Sequence, residues 1–261
     1  MGILERFSLT GHVALVTGGA GSRFGNSLTV ALAEAGATTY IGDIANDAAE
    51  KLAERLRGEG YNVTALQFDQ GDETSILALR DEVLKRSGRC DILVNGAVLR
   101  TMKDCYHSAA STFELSMKVN ATGLFVITRA FGDEMAKRGT GSIINIGSIH
   151  GLIAPDPSIY RGTDMSGWMP DYFFHKGAMI NFTRFIGSFY GRQGVRCNCI
   201  CPGGYFSGQP EPFVRQYSER TFLGRMANDT DLMGIVVFLA SDASAYLSGA
   251  IIPVDGGYVA K

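Results

Sequence analysis

Val13-Ala14-Leu15-Val16 runs directly into Thr17-Gly18-Gly19-Ala20-Gly21-Ser22-Arg23-Phe24-Gly25, and an amphipathic stretch, Ser27 to Ala35, follows. Four apolar residues bounded by glycine have the pattern of a buried strand, and the segment beyond the turn has helical character. Glycines at the point where a strand hands over to a helix let the backbone approach a pyrophosphate, which then rests on the helix N-terminal amides. A glycine-rich turn alone is weak evidence. Its place after the first strand and before the first helix gives it weight.

The same alternation continues along the chain. Strands are expected at Thr38 to Ile41, Val63 to Phe68, Ile92 to Val94, Ser142 to Ile146, Val195 to Cys201 and Ile251 to Val254. Helices are expected at Asp47 to Arg57 (with Asp47 as cap), Glu73 to Arg86, Thr112 to Arg138, Tyr172 to Tyr190 and Asp231 to Ala240. Strands apolar throughout and separated by helices imply a parallel sheet covered on both faces. The fold class is therefore α/β: a doubly wound, Rossmann-type parallel sheet in three α/β/α layers. No linker, low-complexity tract or fixed-period repeat interrupts it, so residues 1–261 are expected to form one domain. Ligands belong at the carboxyl ends of the strands.

Composition narrows the field. The chain has 261 residues, 46% hydrophobic and 19% charged, with a formal net charge of −2, which gives no reason to expect nucleic-acid or anionic-membrane binding. No apolar run reaches the ~20 residues that span a bilayer, and Met1 to Thr10 lacks the apolar core of an export signal. A cytoplasmic setting is expected. Cys197, Cys199 and Cys201 alternate within one strand, so their sulfurs would line up on one face instead of converging on an ion. Buried reduced thiols are the expectation, with Cys90 and Cys105 completing an odd count, and no metal site.

At the end of the second strand, Gly42-Asp43 offers a carboxylate that can accept both ribose hydroxyls of NAD and would repel a 2′-phosphate. Arg23, in the glycine turn, is the residue that argues for NADP. NAD is favoured and NADP is left open.

These landmarks recur in a set order. After the Thr17–Gly25 turn come Asp69, Asn95-Gly96-Ala97, Asn120, Ser148, Tyr172-Phe173-Phe174-His175-Lys176, Pro202-Gly203 and Val254-Asp255-Gly256-Gly257. In this ordered set the chain resembles the single-domain branch of the short-chain dehydrogenase/reductase family over nearly its whole length. The resemblance implies a nicotinamide-dependent oxidoreductase that interconverts a secondary alcohol and a ketone. Its cofactor turn would comprise Gly18, Gly21, Arg23, Phe24 and Gly25. Asp69 would contact the adenine, and Asn95 and Ala97 the adenosine ribose. Pro202, Gly203, Tyr205 and the Ser207 hydroxyl would hold the nicotinamide amide. Asn120, Ser148, Tyr172 and Lys176 would be the catalytic set, with Tyr172 and Lys176 also meeting the cofactor and Asn120 anchoring a water that links Lys176 to solvent. It also implies a homotetramer or homodimer formed through the two longest helices.

The chemistry of the residues agrees. A tyrosine ordinarily titrates near 10, too high for a base at neutral pH. Lys176 lies one helical turn from Tyr172 on the same face, where its ammonium lowers that value. Ser148 would hold the substrate oxygen. Tyr160 stands at the family's usual distance from Ser148, but the residue four beyond it is Asp164, which would push the phenol the wrong way. Tyr172 is the expected acid/base.

The chain departs from the family in three places. Ser22 stands where a glycine is usual, and Asn95-Gly96-Ala97-Val98 loses one amide and one glycine. Gly151 to Pro170 is longer than usual between the catalytic Ser and Tyr. Both ends of that stretch adjoin active-site residues, so it is expected to form a lid or wall of the substrate pocket. His150, Tyr160 and Trp168 are candidate pocket residues, and Arg161, Asp164, Tyr160 and Trp168 suit a hydroxylated substrate such as a sugar or sugar acid. Phe206 to Leu223 is expected to form a second wall. The rival readings are a non-catalytic nucleotide-binding protein on the same fold and a sugar epimerase or dehydratase, the latter normally requiring a larger C-terminal domain.

Overall fold

The computed structural model describes residues 2–21, 23–102, 104–167 and 169–260. Seven strands form one sheet: β1 (Val13–Thr17), β2 (Thr38–Asp43), β3 (Val63–Gln67), β4 (Ile92–Asn95), β5 (Gly141–Ile146), β6 (Val195–Pro202) and β7 (Ile251–Val254). Their order is β3-β2-β1-β4-β5-β6-β7 and every neighbouring pair is parallel. The connection reverses direction between β1 and β4, which opens a crevice beyond their carboxyl ends.

The described residues form eight α-helices, most of them packed on the sheet: α1 (Phe24–Glu34), α2 (Asn46–Gly58), α3 (Glu73–Ser87), α4 (Ala110–Met117), α5 (Leu124–Arg138), α6 (Pro170–Tyr190), α7 (Glu211–Ser218) and α8 (Met233–Ala240). Side chains alternate across the strands. Leu15, Leu93, Ile143 and Cys197 face a core with Ile76, Ile127, Phe131 and Ile186 from α3, α5 and α6. Val16, Val94, Ile144 and Ile200 face the opposite core, with Leu28 and Leu32 of α1 and Val236 and Leu239 of α8. Cys197, Cys199 and Cys201 are fully buried along one face of β6, with the sulfurs of Cys199 and Cys201 3.8 Å apart.

Two local expectations need correction. Asp47 does not cap α2, which begins at Asn46; it sits in the first turn, where a carboxylate still favours the helix dipole. The long helix expected over Thr112–Arg138 is interrupted by a π-helical turn, Lys118–Gly123, between α4 and α5. Gln70 explains the widening. Its amide donates to the Val119 carbonyl at 3.1 Å, and a Cβ on Gly123 would lie 2.1 Å from the Gln70 carbonyl oxygen.

At the amino ends of the strands, the buried Asp91 accepts from the Val13 amide at 2.9 Å, from Arg89 at 2.7 Å and from Arg138. It ties the starts of β1 and β4 to the end of α5.

Candidate active site

The crevice at the carboxyl ends is a cavity of about 850 Å³, open from Asp43 and Asp69 at one end to Ser148, His150 and Tyr172 at the other. Its walls near β1 are backbone. Gly18 has a positive φ of 64° and presses against the loop after β4, so that a Cβ there would lie 2.8 Å from the Ala97 Cα. A Cβ on Gly25 would lie 2.2 Å from the Gly18 oxygen. The Thr17 hydroxyl oxygen accepts from the amides of Gly96 (3.1 Å) and Ala97 (3.2 Å), locking the turn to that loop. Asp43 accepts from the Ala20 amide at 3.2 Å and the Ala45 amide at 3.0 Å, and each oxygen keeps a further lone pair. A backbone-walled slot opening on a carboxylate fits the phosphates and the diol of a dinucleotide.

Tyr172 and Lys176 project into the cavity from the first turns of α6. The Lys176 ammonium is buried, donates to the Ile146 carbonyl at 2.5 Å and lies 5.8 Å from the Tyr172 ring centre. Arg100, in the loop after β4, holds its guanidinium 4.7 Å over the same ring. Burial by itself pushes the Tyr172 phenol up. Lys176 first, then Arg100, with hydrogen bonds from Ser148 and Arg100, outweigh it and hold the phenol below its ordinary value. Ser148 stands at the end of β5, where its oxygen also accepts from the His150 amide at 3.1 Å.

Most of the expected residues come together here. Gly18, Gly21, Arg23, Phe24, Gly25, Asp43, Asp69, Ala97, Ser148, His150, Tyr160, Tyr172, Lys176, Pro202, Gly203 and Tyr205 all line the cavity. Several do not match their expected roles. Asn95 turns away: strand alternation points it at α5, where its amide donates to Asn145 at 2.9 Å and Thr128 at 3.2 Å. The Ser207 side chain is exposed; its amide donates to Gln209, which lines the cavity in its stead. Asn120 is buried and both of its amide hydrogens are engaged. Oδ1 accepts from the Leu99 amide at 2.8 Å, and Nδ2 donates to the Leu99 carbonyl at 2.7 Å and the Ser116 hydroxyl at 2.9 Å. It fixes the loop after β4 and has no side-chain donor left for a water. Trp168 and Ser22 lie outside the described residues.

Arg23 lines the cavity and interacts electrostatically with Tyr172, Tyr205 and Arg100. Burial, then the neighbouring Arg100, lowers its pKa. Burial, then Arg100, takes the His150 imidazole down to about 4, so it is neutral at neutral pH. Tyr160 is pushed up, first by burial and then by Asp156, not by Asp164. Arg100 was not singled out from the sequence. The available signal was its position, a few residues beyond β4 at the reversal point, where side chains face the crevice.

The residues between Ser148 and Tyr172 pack as a wall. Ile159 is buried with Phe213, Tyr217 and Met226, and Ile159, Tyr160, Met165 and Met169 face the cavity. A Cβ on Gly167 would lie 1.9 Å from the Tyr160 hydroxyl, so this close turn needs glycine. Arg220 donates to Asp156 at 2.6 Å and to Ser158, while Gln216 on α7 donates to the Arg161 carbonyl at 2.9 Å. Hydrogen bonding from Ser158, joined by that from Arg220, outweighs the opposing desolvation and takes the Asp156 carboxyl down to about 2, so the tie remains charged in mild acid.

Among the described residues, no helix is long and apolar enough to cross a membrane. Residues 19–259 match the family model described as enoyl-(acyl carrier protein) reductase. Galactitol 2-dehydrogenase (L-tagatose-forming) of Cereibacter sphaeroides is 33% identical, over 97% of this chain and 96% of that protein. The 2-dehydro-3-deoxy-D-gluconate 5-dehydrogenase of Pseudoalteromonas atlantica is 32% identical, over 99% of this chain and 100% of that protein. A crystal structure of a gluconate 5-dehydrogenase from Burkholderia cenocepacia, in complex with NADP and tartrate, superimposes with a TM-score of 0.88 at 32% identity, covering 100% of both chains. A seven-stranded parallel sheet closing over one glycine-walled crevice, and likeness along nearly the full length, lead to the same conclusion: the chain belongs to the short-chain dehydrogenase/reductase family and is an oxidoreductase of CH–OH groups.

Proposed function

We propose that the protein interconverts a secondary alcohol and a ketone on a small polyhydroxylated acid, with NAD(H) as cofactor and Tyr172 as acid/base. The observation that carries this is the pairing of two cations, Lys176 and Arg100, against one phenol whose pKa is lowered beside Ser148. In the oxidation direction the Tyr172 phenolate takes the proton of the substrate hydroxyl, while Ser148 holds the substrate oxygen within reach. In reduction the phenol returns that proton. Lys176 stabilises the phenolate and is itself oriented by the Ile146 carbonyl. A bound nicotinamide supplies the hydride acceptor or donor. Gly18, Gly21, Phe24 and Gly25 would hold its phosphates, Asp43 its adenosine ribose, and Asp69 and Ala97 its adenine end, with Pro202, Gly203 and Tyr205 at the other.

Arg100 supports the acidic substrate. Among the described residues no carboxylate pairs with it. A guanidinium beside the reacting group offers two parallel donors to a substrate carboxylate. The residue 151–170 wall, with Tyr160, would close the far side. Two of the relatives are named for sugar acids, which agrees. NAD is preferred because Asp43 stands at the end of β2, where its carboxylate repels a 2′-phosphate. NADP is the second reading, supported by the related gluconate 5-dehydrogenase bound to it.

Exposed Phe125 on α5 and Phe185 and Phe189 on α6 support assembly into a homotetramer or homodimer through these helices. Buried thiols at Cys90, Cys197, Cys199 and Cys201 suit a cytoplasmic setting. The deciding experiment incubates the enzyme with sugar acids, polyols and simple secondary alcohols under NAD and under NADP, following reduced nicotinamide. Net reduction of NAD with a sugar acid supports the reading. Turnover only with NADP, only with uncharged alcohols, or product epimerised without net reduction would each overturn its corresponding part.

A further inference from the structure

Asp171, immediately before Tyr172, is 1% exposed although it lies in the first turn of a helix that starts at the surface of the sheet. It makes no capping bond to its own helix. Its Oδ2 instead accepts from the Ser116 hydroxyl on α4 at 2.5 Å, and Ser116 in turn accepts from the Asn120 amide at 2.9 Å. Asn120 grips both backbone polar groups of Leu99, whose neighbour Arg100 reaches back over Tyr172. The contacts close a ring that begins and ends at the phenol: Tyr172, Asp171, Ser116, Asn120, Leu99, Arg100, Tyr172. Asp171 Oδ1 and both nitrogens of His175, one helical turn further on, have no partner among the described residues. Burying a carboxyl with one oxygen unsatisfied is unfavourable. Stability alone gives no reason to keep it.

We propose that Asp171 is a positioning residue which, through Ser116 and Asn120, fixes the Leu99–Arg100 backbone so that the Arg100 guanidinium is held against the Tyr172 phenol. The inference rests on Tyr172 being the acid/base, and it adds a control on that group from outside the reacting set. The groups that face the phenol are Lys176 and His175 from its own helix, Ser148 and His150 from the loop after β5, Arg23 from the glycine turn and Arg100 itself. Arg100 alone among the cations is carried by a loop that the ring holds in place. Lys176 is anchored separately, on Ile146.

The sign of one measurement separates positioning from simple charge. Deleting an acidic group beside a phenol lowers the phenol's pKa, whereas releasing a cation that was held against it raises the pKa. The ionisation of Tyr172 is read, without cofactor or substrate, as the tyrosinate absorbance of each protein minus that of its Tyr172→Phe counterpart. Arg100→Met should raise the midpoint by about one pH unit. Asp171→Ala should raise it in the same direction, and Ser116→Ala, which removes no charge, should do likewise. Asp171→Asn keeps an acceptor for Ser116 and should restore most of the original value. The Asp171→Ala, Arg100→Met double variant should titrate no higher than Arg100→Met alone, because both act through one contact. A midpoint that falls or stays put in Ser116→Ala and Asp171→Ala, or that adds in the double variant, overturns the proposal. Should Asp171→Ala lose its near-ultraviolet circular dichroism, Ser116→Ala carries the same test. Because no turnover is required, a negative result here is distinct from failure of the dehydrogenase reading, which Tyr172→Phe turnover decides.

Discussion

The two ends of the sheet are built from the same strands and treat polar groups in opposite ways. At the amino ends, Asp91 is buried and every demand is met: an amide and two arginines converge on one carboxylate. At the carboxyl ends, Lys176, Arg100 and Arg23 crowd one crevice with no carboxylate paired to them among the described residues, and His150 Nδ1 is buried without a partner. Closed valences give stability, and open ones give a place for something else to bind. The lesson is that the incomplete end, not the better-packed one, marks the site.

Substitutions at each end should therefore fail in different ways. The largest effect is expected from Tyr172→Phe, which removes the transferable proton and should lower kcat by about 10²–10⁴-fold while leaving nicotinamide binding by fluorescence titration nearly unaltered. Normal turnover in that variant would place the base elsewhere. At the opposite end, Asp91→Ala strands two guanidinium groups and should cost about 3 kcal/mol. That is a fall in Tm of roughly 5–10 °C, with kcat per folded molecule unchanged; a lost activity with intact Tm would erase the contrast. Arg100→Met should raise KM for an acidic substrate about tenfold or more, the worth of a charge-assisted hydrogen bond, and leave KM for an uncharged polyol nearly unchanged, while the oxidation rate falls on both as the phenol pKa rises. An equal rise in KM on both substrates would remove the carboxylate contact from the picture.

The pH response reads the phenol itself. With Tyr172 as the proposed base, oxidation would draw on the phenolate, so its rate should fall about tenfold per unit as pH drops below the Tyr172 pKa. Reduction needs the phenol, and should decline as pH rises through the same value. With Lys176 and Arg100 holding that pKa below its ordinary value, the crossover should lie under about 10. A profile centred at or above that value would show that the two cations do not act on the phenol.

Much of this was legible beforehand because periodicity is a local property. Strands apolar at every position and glycine at a fixed place between strand and helix specify the sheet and the crevice without any long-range information. Tyr172 and Lys176 were legible for the same reason, being one turn apart. What escaped depends on contacts distant in sequence. Asn95 could not be seen to turn inward without knowing which face of β4 meets α5. The π-helical turn exists because Gln70 reaches Val119, and nothing near Asn120 in the sequence signals it. Arg100 and Asp171 carry no motif; they matter because a loop and a helix start meet around Ser116.

The tie between the two pocket walls has its own consequence. With Arg220 and Gln216 fastened across to Asp156 and Arg161, the segment after Ser148 and the segment around α7 swing as one body or not at all. Any opening of these walls that releases product would then be one large movement through solvent instead of two small independent ones, and thickening the medium with sucrose should slow the catalytic cycle in proportion wherever that movement sets its pace.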